Sequence, residues 1–575
     1  MNDAAGLRAL ARTHRGILVV ALLALFPIFG NLGAGTLWAD EADTAVFARS
    51  ILQTGIPAAW DGTTFTDSDS GRRLAPNLVL VGTPWVPYYV TAASLAIFGE
   101  TSFAARFPFA LAGLATLLLL YALVLRLTGD RLAAVLGSGL LLASVQFLIY
   151  VRQCRHYALN MLLSVALLLA FERLERRRPD PLFIAIAVLL YHCHPMPAGV
   201  TLAVLGGLTL LPSFRAARWG FWLSFPLILL LTAPWVLLAA QGWGENSRAL
   251  AVASDYVPRL VQFLYEASVA VPFVGLLALA PFAARRLDAR TRRFVLLAVV
   301  VLAGYALLAP LAQSTLQLWE YGLRYSNAFL PLGAALTGVL IARAVGGRRA
   351  PAFALAALFA FTHLPGNTAL WALVPPRPAP EERPAEPHAA LHAPVRAIDR
   401  VLRTEIAAFA RELVAWSPGT DSRIVAFLEQ NAQPGDIVVT NYAWEPLYFH
   451  TRLPQGYKVM ESHSIYAAAQ AAGLPAYVFR PDDARWLVWR APWEDYQGYR
   501  WADVAARIRA AGGTLQPVAT FPETVWENRE NLHFRRFPVV GHLYPRAVET
   551  AYPAARIWRV DRAAAPAKEA SGVTP

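Results

Sequence analysis

Lysine is nearly absent. Of the 51 basic residues in 575 only Lys458 and Lys568 are lysines, so any anion clamp in the apolar part must use Arg, His, Tyr or backbone donors. Charge of either sign is scarce, at 16% of residues against about 25% in soluble domains. Apolar residues make up 56%, and mean hydropathy is +0.40. These shortages exclude a purely soluble enzyme and a disordered scaffold. There are two cysteines, Cys154 and Cys193, both at the ends of apolar runs. They provide neither a disulfide framework nor a Cys-based zinc site. The sequence has no GxGxxG, no Walker loop and no internal repeat.

What is present is a succession of long apolar runs up to about Trp371, followed by about 200 residues of ordinary composition. The reading is a polytopic α-helical membrane protein with a C-terminal α/β domain. The expected division is a membrane module over 1–373, a Pro-rich linker over 374–397 and a soluble domain over 398–575. Candidate spans lie near 16–36, 104–125, 132–150, 157–172, 181–194, 197–212, 219–240, 260–283, 294–312, 326–342 and 350–372. Run 80–98 is broken by Gly82, Pro84 and Pro87 and reads as a helix on the outer face. Arg8, Arg12 and Arg15 before the first run imitate a signal peptide, but the later spans favour a retained anchor.

The net charge of +12 suggests nucleic acid as a partner, but the arginines sit in short loops, which is a topology signal. With run 80–98 left uncrossed, the loops assigned to the cytoplasm hold 19 Arg in 50 residues and the opposite ones 8 in 108. Crossing it would invert that bias. The expectation is therefore eleven spans in the inner membrane, N-terminus inside, C-terminal domain outside, with the lipid bilayer and no nucleic acid as partner. In the tail, Ile398–Trp416 and Ser422–Ala432 read as helices, and Asp436–Thr440 and Arg485–Arg490 as short strands.

Polar groups collect at the outer ends of the spans. Asp40-Glu41 stands directly after the first span in a large outer loop, 37–103, ahead of a helix ended by Gly55. The pair is either a general base facing an outer cavity or a solvated capping pair, with Asp40 or Asp43 as cap. Arg152, Arg155, His156 and Tyr157 form one candidate phosphate site, and Arg324-Tyr325 a second; interfacial anchoring is the plain alternative for both. His192 and His194 flank Cys193, too few for a metal site without further ligands. Glu266, inside a span, and Trp243, in an outer loop, are candidates for acceptor or sugar binding.

Four stretches resemble family 39 membrane glycosyltransferases of the C-type fold, a family that includes protein O-mannosyltransferases and lipid A aminoarabinose transferases. They are Leu37–Gly55 with Asp40-Glu41; Pro84–Gly99 followed by Arg106-Phe-Pro108; Arg152-x-x-Arg155-x-Tyr157; and Arg324-Tyr325 with Pro331. The likeness covers roughly residues 15–345. It implies metal-independent, inverting transfer from a polyprenyl-phosphate sugar to a glycan, lipid or protein hydroxyl at the outer face, with no cofactor beyond the donor. It further implies Asp40 as base and Arg155 and Arg324 as phosphate donors, supported by Tyr157 and Tyr325. A lysine of the aminoarabinose enzymes is missing here, where Gly82-Thr83-Pro84 stands, which counts against that acceptor. The rivals are a ligase using a diphosphate-lipid donor and a carrier of lipid-linked solutes.

Overall fold

The structure is a computed structural model. It describes residues 3–66, 73–174, 177–240, 271–311, 327–365, 401–416, 418–456, 471–474, 481–490, 500–522 and 555–562, with isolated positions from 256 to 267 and at 469. Arg324, Tyr325, Glu266, Trp243 and the linker 374–397 lie outside the described residues.

Every apolar run carries helix. The elements are α1 (Asp3–Phe29), α2 (Ala39–Thr54), α3 (Val86–Phe98), α4 (Ser102–Thr128), α5 (Arg131–Leu142), α6 (Val145–Val151), α7 (Tyr157–Phe171), α8 (Pro181–Cys193), α9 (Pro195–Leu208), α10 (Arg218–Ala240), α11 (Phe273–Ala284), α12 (Ala289–Leu308), α13 (Leu330–Ala344) and α14 (Arg349–Phe361). Among the described residues four helices are long and apolar enough to cross a membrane, and seven more apolar helices run 10–17 residues. Run 132–150, expected as one span, is instead α5 and α6, bent by 71°. The break needs neither Pro nor Gly. Ser144 starts a new helix by accepting from the amide of Phe147, 3.3 Å away. α3 has 13 residues, about 20 Å of helix against the ~30 Å of a hydrocarbon core, and it packs on α2 and α4.

Helix starts are capped by the residues the sequence places there. Asp130, Asp180 and Asp288 each accept from an amide three residues on, at 3.1, 2.9 and 2.8 Å. The arginine-rich loops meet at one end of the bundle. Arg343 faces Asp288 at 3.2 Å and Asp130 at 3.8 Å, Arg293 pairs with Glu172 at 2.9 Å, and Arg290 donates to the carbonyl of Arg126 at 2.8 Å. α5 and α13 cross where Gly137 faces Gly338. A Cβ on Gly338 would come within 2.8 Å of the Gly137 Cα, so that position has no room for a side chain, and one on Gly137 would press on the Ala335 Cα at 3.0 Å.

The tail contributes α15 (Thr404–Val414), α16 (Thr420–Asn431), β1 (Val438–Thr440), α17 (Trp444–Thr451), β2 (Trp486–Arg490), α18 (Trp501–Ala510), β3 (Gly513–Phe521) and β4 (Ala555–Arg562). The four strands form one sheet in the order β1-β2-β4-β3. β1 is parallel to β2, and the other pairs are antiparallel. Pro517 is tolerated because β3 is an edge strand with a register shift beside it. α16 packs on one face of the sheet and α18 on the other. Both helical runs and both strands read from the tail sequence have counterparts, α15, β1 and β2 shorter than read and α16 shifted to start at Thr420; β3 and β4 were not expected.

Candidate functional site

α2 begins where the sequence places it and ends on Gly55, whose φ of 82° suits a residue without Cβ. Its N-cap is Trp38, not Asp40 or Asp43. The adjacent acids point different ways. Glu41 is 1% exposed. Arg106 grips it bidentately, Nε to Oε1 at 2.9 Å and Nη2 to Oε2 at 2.7 Å. Glu41 also accepts from the amide of Cys154 at 2.8 Å and from that of Trp38 at 3.3 Å. Its carboxylate thus ties the first turn of α2 to α4 and to the loop after α6. The sequence signal for its partner was Arg106 beside Pro108.

Asp40 faces outward. Its side chain is 38% exposed and Oδ2 lies 3.3 Å from Nη2 of Arg155. Oδ1 has no partner among the described residues. Arg155 is 11% exposed and is anchored on α2, where it donates to the carbonyl of Asp40 at 3.1 Å and to Oγ1 of Thr44 at 3.2 Å.

Arg152 serves another purpose. It is 7% exposed and donates to the carbonyls of Pro27 and Ile28 at 3.1 and 2.9 Å, closing the C-terminal end of α1. Its guanidinium also lies 5.8 Å from the ring of Phe409. Burial lowers its pKa to about 10. Two arginines three residues apart look alike in sequence. Here one is structural and the other faces Asp40.

His156 lies with its ring centroid 4.6 Å from those of both Tyr157, edge-on, and His194, tilted. Tyr157 is 1% exposed and packs on Tyr150. His194 caps α9, accepting from the amide of Met196 at 3.3 Å. Burial, then the fields of Arg155 and Arg73, bring its pKa down to about 4, so it is neutral at pH 7. His192 lies edge-on to Tyr191 and Trp235 instead, so the two histidines do not converge. No group of three His, Cys, Asp or Glu gathers for a metal among the described residues.

Tyr88 and Thr83 join the site together with Arg73, which with Arg72 is the nearest cation upstream of Gly82-Thr83-Pro84. Tyr88, in α3, shares a 2.9 Å hydrogen bond with Thr83. Burial and then Asp43 push its pKa up to about 12, against the fields of Arg155 and Arg73. The backbone of Arg73 pairs with Val81 and Gly82, and its side chain lies across Gly82, where a Cβ would collide with it. Arg73 therefore stands beside the glycine of Gly82-Thr83-Pro84.

Residues 82–238 match the family of dolichyl-phosphate-mannose-protein mannosyltransferases. No curated protein matches the sequence. Among solved structures the chain is similar to ArnT from Cupriavidus metallidurans bound to undecaprenyl phosphate, with a TM-score of 0.54 at 16% identity over 88% of this chain and 96% of that one. The apo state of the same protein gives 0.51 at 17% identity over 90% and 97%. The archaeal oligosaccharyltransferase AglB from Archaeoglobus fulgidus is matched at 0.40 and 12% identity over 87% and 72%, a score that decides nothing between reactions. The resemblance to C-type membrane glycosyltransferases therefore stands, on a family match in sequence and on likeness in fold.

Proposed function

We propose that the chain transfers a sugar from a polyprenyl-monophosphate carrier to an acceptor hydroxyl at the outer face of a bacterial inner membrane, with inversion at the anomeric carbon. The observation that carries this reading is the Asp40 carboxylate. It is exposed at a helix start, has one oxygen turned to Arg155 and the other without a partner among the described residues. A general base needs that arrangement, fixed in direction yet within reach of a hydroxyl.

The chemistry balances without a metal. The acceptor oxygen attacks the anomeric carbon and its proton passes to Asp40. The bond from that carbon to the phosphate oxygen breaks, and its electron pair leaves with polyprenyl phosphate. In an inverting displacement the acceptor and the leaving phosphate stand on opposite faces of the anomeric carbon, as the paired carboxyl groups of inverting glycosidases do at about 6.5–9.5 Å from each other. Arg155, 3.3 Å from Asp40, is too close to take the phosphate while it holds the base. We therefore move Arg155 from the phosphate role the sequence suggests to that of orienting Asp40. The leaving phosphate falls to Arg73 and, by the sequence reading, Arg324. Glu41, saturated by Arg106 and two amides, holds α2 in place and does not touch substrate. The arginine-rich end of the bundle is cytoplasmic by the positive-inside rule, which puts Asp40 and the tail outside.

The test is a reconstituted panel of labelled polyprenyl-monophosphate and diphosphate sugars, scored for the released carrier and the anomeric configuration of the product. Release of polyprenyl phosphate with an inverted product supports the reading. Turnover confined to diphosphate donors, or passage of an unchanged donor across sealed vesicles, contradicts it.

A further inference from the structure

The loop that delivers the chain to Asp40 has no helix or strand of its own between α1 and α2. Thr36 and Leu37, at its end, are 7% and 0% exposed, so their backbone groups must find partners inside the protein. The carbonyls find them in α4. Gly35 accepts from Ser102 at 2.8 Å, and Leu32, Ala34 and Thr36 accept from Arg106 at 3.3, 3.0 and 2.9 Å. The amides find them in the tail. Thr36 N–H donates to Oγ of Ser422 at 3.3 Å, and Leu37 N–H donates to Nε2 of His450 at 3.1 Å.

This docking is broad. Phe409, Leu413, Trp444, Tyr448 and Phe449 of the tail belong to the same buried apolar cluster as the bundle, and α17 packs along α2. Arg49 of α2 lies 4.5 Å from the ring of Tyr448, whose hydroxyl donates to Asp61 at 2.6 Å. Arg452 pairs with Glu100 at 2.9 Å, and the amide of Gln455 donates to Thr64 at 3.2 Å. The sheet, by contrast, has apolar clusters of its own.

We infer that the tail completes the active site, with His450 and Ser422 as positioning residues that hold the two amides ahead of α2 and so set where Asp40 stands. The inference rests on Asp40 being the base, as proposed above. The bond from Leu37 requires a neutral imidazole with its lone pair on Nε2. Burial, followed by the fields of Arg106 and Arg49, lowers the pKa of His450 to about 4, so this form persists through the physiological range.

The experiment compares full-length wild type, Asp40→Asn, His450→Phe, His450→Gln and Ser422→Ala in nanodiscs, using the donor that wild type turns over. It reads kcat, the binding of undecaprenyl phosphate and the thermal midpoint. Phe keeps a flat ring without the acceptor; Gln keeps an acceptor. A displaced catalytic group costs on the order of 100-fold in rate. His450→Phe should therefore lose about 10- to 100-fold in kcat with undecaprenyl phosphate binding unchanged, Ser422→Ala should lose less, and His450→Gln should regain most of the rate. Wild-type kcat in His450→Phe with Asp40→Asn inactive would overturn the positioning role and leave the base in place. Equal losses in Phe and Gln, or losses of rate, binding and thermal midpoint together, would reduce His450 to general packing and overturn it too. A fully active Asp40→Asn would remove the base itself, and this inference with it.

Discussion

Replacing Arg106 by alanine strips Glu41 of its only ion-pair partner among the described residues. The carboxylate is 1% exposed and receives two guanidinium bonds of 2.9 and 2.7 Å. Two amides would remain to it, and three carbonyls of the loop ahead of α2 would lose their donor. Removing one member of a buried pair costs about 3–5 kcal/mol, whereas replacing both by neutral residues of similar size is often tolerated. Arg106→Ala should therefore fall by about that amount. Glu41→Gln with Arg106→Met should recover a large part, and Arg106→Lys should recover little, because one ammonium reproduces neither the fork nor the three carbonyl bonds. The assay is thermal unfolding followed by tryptophan fluorescence in a fixed detergent, with the ranking of the four proteins as the result. Arg106→Ala within about 1 kcal/mol of wild type, or a double variant no better than the single one, would refute the argument; a surface pair is worth that little.

Further outcomes follow from other contacts. Glu412 is 6% exposed in α15, and burial raises its pKa to about 8 against the fields of Arg152 and Arg106. The folded protein then binds this proton more readily than the unfolded chain, whose group sits at the ordinary 4.5. Stability should fall as pH rises from about 4.5 to 8 and level off beyond. Glu412→Gln should flatten that slope in thermal midpoints, and an unchanged slope contradicts the assignment. In the tail, Arg490 and Asp421 pair with side chains 2% and 1% exposed. Arg490→Met should cost about 3–5 kcal/mol and speed hydrogen exchange in β1 and β2, and unchanged exchange would count against it. Gly338→Val forces α5 and α13 apart and should cost about 1–3 kcal/mol; a wild-type thermal midpoint would show that the crossing is loose.

Local signals were legible in the sequence, and long-range partners were not. Gly55 after an amphipathic stretch marked the end of α2, because a helix stop acts within a few residues. Run 80–98 read as an outer-face helix because Gly82, Pro84 and Pro87 interrupt it and because crossing it would invert the arginine bias of the loops. The division of labour between Arg152 and Arg155 depends on the carbonyls of Pro27 and Ile28, some 125 residues earlier, and no local pattern carries it. Asp40 and Glu41 likewise separate only once Arg106 is seen to fill the inner position. The break at Ala143-Ser144 left no mark beyond a serine. β3 and β4 are held by pairing across stretches of sequence that give no register from within either strand. That the tail shares its core with the bundle shows nowhere in its composition, which reads as an independent soluble domain.

The measurement that bears most directly on the central claim is sugar transfer by Asp40→Asn in liposomes, with the binding of undecaprenyl phosphate measured on the same preparation. Asn keeps the size of the side chain and removes its basicity, while Arg155 keeps its bonds to the carbonyl of Asp40 and to Thr44. The account predicts a loss of turnover of about 10²–10⁴-fold, as expected for a positioned base, with carrier binding intact. Transfer at the wild-type rate would contradict it and move the search for the base elsewhere in the outer loop.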